Sequence, residues 1–188
     1  MASLDTLRTK GQRTVYRITL VKGAGGNMGD IDDYVALVRR GQPALVEVKG
    51  MTWSGESPGS ALTMANVPWH ADVRDFCAAL AARLGDVGGD GYGLAVEHAH
   101  SCFVLLARRS FCIDGAWHTH INYERFHELV ARYYATGEAF SAHDYLARTP
   151  DWALYGAPEA GFDPLDVRWR RKQAGAEEEY KPSGSGCG

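Results

Sequence analysis

Two stretches near the amino terminus constrain the fold more than any other feature of the chain. RTVYRITLV, residues 13–21, and ALVEVKG, residues 44–50, are β-branched runs of strand length. Between them, after the glycine-rich KGAGGNMG, the pattern turns helical. Asp30 stands at the N-cap with Asp33 as a capping-box-like partner, and Ile31, Tyr34, Val35 and Val38 make the apolar stripe. Gly41 ends the helix, and Pro43 leads into the second strand. A strand–helix–strand unit with short connections predicts parallel pairing. Parallel strands are normally covered on both faces. With only two of them here, the unit is expected to belong to a larger α/β sheet or barrel with earlier units of its own.

The rest of the chain reads as α+β. A long Gly/Ser-rich loop follows Gly50, and Pro68 opens a helix with Trp69, Val73, Phe76, Cys77, Leu80 and Leu84 on one face. GLAVEH, SCFVLLARR and AWHTHINY then read as three strands of an antiparallel meander. Asn122 caps a further helix that turns Phe126, Leu129, Val130 and Tyr133 inward, and Ser141 with Asp144 forms a capping box before HDYLARTP. From Arg168 the chain becomes basic and then acidic, with no packing pattern. The expected organisation is a lead over 1–12, the end of the parallel unit over 13–68, a second region over 69–167 and a disordered tail over 168–188.

Composition narrows the classes of function. A net charge of −3 argues neither for a bulk polyanion binder nor for a membrane-surface protein, and leaves room for a local basic patch. No apolar run approaches the ~18 residues that span a bilayer, and the first residues lack a secretory core, so a cytoplasmic protein with no membrane contact is expected. Cys77, Cys102, Cys112 and Cys187 show neither CxxC nor CxxxCxxC spacing. The first three lie in apolar company and read as buried thiols.

Ligands of α/β sheets gather at the carboxyl ends of parallel strands. Lys22 and Asn27 follow the first strand; Glu47, Lys49 and the Gly55–Ser57 stretch belong to the second. Glu47 and Lys49 share one strand face by the period-two rule, as a ligand-holding pair or a structural ion pair. Glu97, His98, His100, His118 and His120 raise the question of a metal, but a polar sheet face meeting a partner is the preferred reading, and no metal is assigned. Arg168, Arg170, Arg171 and Lys172, interleaved with Trp169, suit phosphate contact and base stacking, although Glu177–Glu179 offset their charge. No Walker motif or GxGxxG is present.

The series RITLVKG…NM, VEVKG.TWSGES….LTM.NVPWH, EHAHSCFVLLARR, WHTHINYERFHELV and DYLARTPDWALYGAPEAGFDP resembles the carboxy-terminal part of the 4-demethylwyosine synthases. These are radical S-adenosylmethionine enzymes of wybutosine biosynthesis. The likeness runs from about Arg13 to about Lys172. It implies the closing strands of a partial (β/α)₆ barrel followed by a wyosine-specific extension. It also implies tRNA modification: carbons from pyruvate are condensed with N1-methylguanosine beside the anticodon of phenylalanine tRNA. The family's cofactors are S-adenosylmethionine and [4Fe–4S] clusters, with FMN in eukaryotic members.

On this resemblance Lys22, Asn27, Glu47, Lys49, Gly55, Ser57 and Asn66 are expected to meet cofactor or substrate. Trp69, Arg148, Arg168, Arg170, Arg171 and Lys172 are expected to meet tRNA. The sequence departs from the family in lacking CxxxCxxC, so cluster chemistry would come from another segment or chain or be lost, and Ser54 stands where the family has a cysteine before GES. A non-catalytic tRNA-binding module or partner subunit is the alternative, and a His-rich metal protein a third.

Overall fold

The computed structural model describes residues 2–55, 59–85 and 90–166. Strands β1 (Val15–Leu20) and β2 (Leu45–Gly50) pair in parallel, with Val15 opposite Leu45 and Leu20 opposite Gly50. Helix α2 (Ile31–Gly41) is their crossover, so the expected unit is present. Its ends differ from expectation in detail. The Asp30 side chain makes no capping bond; instead its carbonyl accepts from the Asp33 and Tyr34 N–H groups. The left-handed residue that stops the helix is Gln42, at φ 45°, not Gly41. A short helix α1 (Ala2–Arg8), which the sequence pattern did not announce, buries no residue and is tied to α2 by a bidentate Asp5–Arg40 pair.

Helix α3 (His70–Leu84) buries Val73, Phe76, Cys77, Leu80 and Leu84, the expected stripe without Trp69. Trp69 is 78% exposed because it precedes the first helical turn in extended backbone, at φ −72° and ψ 160°, which takes its side chain off the stripe. Strands β3 (Tyr92–His98) and β4 (Phe103–Arg108) form an antiparallel hairpin. β4 inserts beside β2, giving the order β1-β2-β4-β3 and one mixed sheet that runs across residue 68.

Beyond β4 the expected third meander strand does not join this sheet. The chain makes a tight hairpin of β5 (Cys112–Ile113) and β6 (Ala116–Trp117), turned by Asp114 and Gly115 at positive φ. The Trp117 ring then lies so close over Gly93 that a Cβ there would stand 2.9 Å from it. Gly93 thus lets the indole cover the sheet face, which draws the chain across the sheet rather than along its edge. β7 (His120–Ile121) pairs with β8 (Leu146–Ala147), and helix α4 (Tyr123–Thr136) lies between them, capped by Asn122 as expected.

Of α4's expected inward residues only Leu129 is fully buried, and Tyr133 is 49% exposed. Ser141 and Asp144 make their box, with Asp144 accepting from the Ser141 N–H and hydroxyl. The box opens one 3₁₀ turn over Ala142–Tyr145, and Leu146 then pairs as strand.

Two apolar clusters follow from the alternation along the strands. Ile18, Leu20, Val46, Val48, Val104 and Leu106 face α2 and α3. Leu45, Leu105, Ala107 and Val96 face the opposite way, towards Phe111, Leu129, Tyr145 and Ala153. Among the described residues no helix is long and apolar enough to cross a membrane.

Candidate functional site

The second sheet face is not wholly covered by the carboxy-terminal elements. Over the carboxyl halves of β2 and β3 a hollow of about 710 Å³ stays open. Glu47 and Lys49 enter it from β2, Phe103 from β4 and His98 from β3. They share a face because Glu47 is opposite Leu105, Lys49 opposite Phe103 and Phe103 opposite His98 in the antiparallel register. His100 adds to the rim from the 3₁₀ turn Ala99–Ser101, and His120 from β7.

The far wall is a strap, residues 150–163, that contributes Trp152, Phe162 and Asp163. It is laid along β3 by an antiparallel bridge between Val96 and Leu154, by Tyr155 N–H donating to the Ala95 carbonyl at 3.1 Å, and by Ala99 N–H donating to the Ala160 carbonyl at 2.9 Å. The Phe162 ring packs 4.9 Å from the His98 ring, centroid to centroid.

The charges within the hollow are unequal in freedom. Glu47 is held bidentately by Arg17, with Nε and Nη2 at 2.9 and 3.0 Å from its two oxygens. Lys49 has no carboxylate partner among the described residues. A half-buried ammonium with no carboxylate partner among the described residues favours a strongly hydrogen-bonding occupant. Partial desolvation first, and the Arg13 guanidinium second, push the His120 imidazole below its usual range, so it is neutral at neutral pH. The result is the Lys49 ammonium, aromatic walls, imidazoles and the Asp163 and Asp166 carboxylates around a space of small-ligand size.

The remaining expected site residues lie elsewhere, around the ends of β1 and β2. Lys22 pairs with both oxygens of Asp72 at 2.9 and 2.8 Å. Asn27 accepts from Val21 N–H and donates to the Thr19 carbonyl. Asn66, buried, accepts from Thr63 N–H and donates to the Lys22 carbonyl. Their side chains build the rim rather than face the hollow. Gly55 lies on the loop at φ 109°, and Ser57 is outside the described residues. Gly50 ends β2 where the loop returns: a Cβ there would meet Pro68 at 2.9 Å, so glycine lets the loop's end dock on the strand.

Trp69 is open to solvent, and Arg148 is exposed and paired with Asp151 at 2.9 Å. Arg168, Arg170, Arg171 and Lys172 lie outside the described residues. His118 bonds the Ala116 carbonyl through Nδ1. Among the described residues no three His, Cys, Asp or Glu side chains gather closely enough to hold a metal. Cys77 is buried in the α3 stripe, where desolvation pushes its thiol well up. The strap residues went unpicked in the sequence because they follow no period; only their place in a motif-like stretch marked them.

Comparison with known proteins gives a consistent picture. Residues 40–108 match the family model described as wyosine base formation. The chain is 53% identical over 172 residues to the S-adenosyl-L-methionine-dependent tRNA 4-demethylwyosine synthase of Oryza sativa, covering 91% of this chain and 25% of that protein. It is 51% identical over 174 residues to the zebrafish (Danio rerio) synthase TYW1, covering 90% and 23%. A solved structure of TYW1 with a lysine–pyruvate adduct bound aligns over 58% of this chain and 31% of that one, at 25% identity and a TM-score of 0.45. The chain thus spans about a quarter of the length of the curated relatives it matches. It belongs to the tRNA 4-demethylwyosine synthase family, within which it carries the wyosine base formation region.

Proposed function

We propose that this chain acts in wybutosine biosynthesis as the substrate-facing part of a tRNA 4-demethylwyosine synthase, and that the Glu47–Lys49 hollow receives the nucleoside undergoing modification. The observation that carries this is convergence. β2 and the EHAHS segment at the end of β3 lie within the family-matched residues 40–108, and both border one hollow with the Lys49 ammonium and aromatic walls. Trp152 and Phe162 suit a purine face, and Lys49 suits its exocyclic oxygen or a carboxylate. Trp69, Arg148 and the basic run from Arg168 to Lys172 are the tRNA contacts of this reading.

The partial barrel belongs to the same proposal. The Thr14 and Leu20 carbonyls bond to Leu45 and Met51 of the β2 side, so the intervening Val15 and Arg17 direct their backbone groups to the free edge. Apolar grooves meet at Val15 from both sides, one lined by Leu4, Leu7 and Leu37, the other by Tyr123, Phe126 and Phe140. A further parallel strand would satisfy that edge and cover both grooves. The residues present do not fit an iron–sulfur cluster, since Cys77, Cys102 and Cys112 are free and form no metal-holding group among the described residues. Among the described residues a cluster therefore has no holder, and S-adenosylmethionine would meet the rim at the strand ends.

A binding experiment tests the reading. An anticodon stem-loop of phenylalanine tRNA carrying N1-methylguanosine should bind the chain, weaken as salt rises, and bind less well to Lys49→Met. Absence of binding, or affinity indifferent to salt and to Lys49→Met, would overturn it.

A further inference from the structure

Glu97, the first residue of the EHAHS segment, borders the hollow from β3 but spends its carboxylate on other partners. Glu97 is opposite Val104, so its side chain faces α3, away from Lys49 and Phe103, and it is only 2% exposed. A buried carboxylate needs partners, and these come from two separate elements. His70 Nε2, at the first turn of α3, lies 2.9 Å from Oε2, and Arg74 Nε, one turn later, lies 3.6 Å from the same oxygen. The other oxygen accepts the Gly156 N–H of the strap at 2.6 Å. Arg74 strengthens the join by stacking its guanidinium 4.7 Å over the Tyr155 ring while donating to that residue's hydroxyl at 3.2 Å. The strap then closes onto the strand end at Gly161, where a Cβ would stand 2.3 Å from the Glu97 carbonyl.

We infer that Glu97 is a positioning residue: it clamps the strap to α3 and so holds Trp152 and Phe162 as the far wall of the hollow. Two features favour a specific clamp over a chance buried pair. The carboxylate divides its two oxygens between the helix and the strap, so neither element alone satisfies it. Gly156 is exposed, so the Glu97 bond secures a point that burial does not. The placement also joins the hollow to the long loop after β2, because His70 begins α3 directly after that loop ends at Trp69. The importance of the wall to binding rests on the reading of the hollow as a nucleoside site; the clamp itself does not.

The test uses the full chain, with Glu97→Gln and Glu97→Ala. Hydrogen exchange at Tyr155, Gly156 and Gly161 should quicken about ten- to a hundredfold in the alanine variant, the range expected for losing a hydrogen bond to a charged group. It should quicken less in the glutamine variant, which retains an acceptor for Gly156. Amides of Cys77 and Leu80, deep in α3, should keep their rates. N1-methylguanosine, followed by indole fluorescence, should bind about tenfold more weakly to the alanine variant. Strap amides that exchange at the wild-type rate, or that quicken only together with those of α3, would overturn the inference. Should the alanine variant fail to fold, the glutamine variant decides alone, and a wild-type strap in it is refutation. If wild-type protein fails to bind N1-methylguanosine while the strap still loosens in the variants, the nucleoside reading falls and the clamp stands.

Discussion

Removal of the Asp72 carboxylate should loosen the rim at the strand ends by an amount the geometry lets us apportion. Asp72 accepts three hydrogen bonds: two from Lys22 Nζ, at 2.9 and 2.8 Å, and one from the Trp69 N–H, at 2.8 Å. The last is the return half of a capping box, worth about 1 kcal/mol. The ion pair is partly solvated, with side chains 43% and 27% exposed, and contributes about 0.5 kcal/mol. Asp72→Ala should therefore cost about 1.5 kcal/mol and Lys22→Ala about 0.5 kcal/mol, with a coupling of about 0.5 kcal/mol in the double-mutant cycle. Asp72→Asn retains an acceptor for Trp69 and should cost no more than the ion pair.

The pH dependence has a definite sign. The Lys22 hydrogen bond first, and the Trp69 N–H second, hold the Asp72 carboxyl below its ordinary 3.8. Because the folded value is the lower one, the contribution is complete above 3.8 and is lost as pH falls through the folded value. Urea unfolding from pH 7 to pH 3 is the assay, and Asp72→Ala should flatten the acid limb. An alanine variant no less stable than Lys22→Ala, with an acid limb identical to wild type, would refute both the cap and the pair.

Two other outcomes follow from exposure and from strand geometry. Trp69→Ala should change stability by less than about 0.5 kcal/mol, since the indole is 78% exposed, yet weaken tRNA binding about tenfold if it stacks on a base. Titration with labelled tRNA, beside a urea curve, separates the two effects. The Val15 and Arg17 amides should exchange quickly in this chain while those of Ile18 and Leu20 stay protected, and only the first pair should become protected when this region is expressed within a full-length synthase.

Periodicity in the sequence was sufficient for the parallel unit and the α3 stripe, because both depend on local repeats: β-branched runs of strand length, and apolar residues three and four apart. The same period-two rule put Glu47 and Lys49 on one face, and both do line the hollow. Tertiary structure decided the rest. No local pattern says that β4, rather than β3, lies beside β2, that Trp117 crosses the sheet over Gly93, or that the strap at 150–163 reaches back to β3. Those arrangements join segments far apart in the chain, and they are selected by which faces remain apolar and unpaired once the sheet has formed. Glu97 shows the division most plainly. Its alternation with His98 is written in the sequence, but its burial between His70, Arg74 and Gly156 exists only because three distant segments meet there.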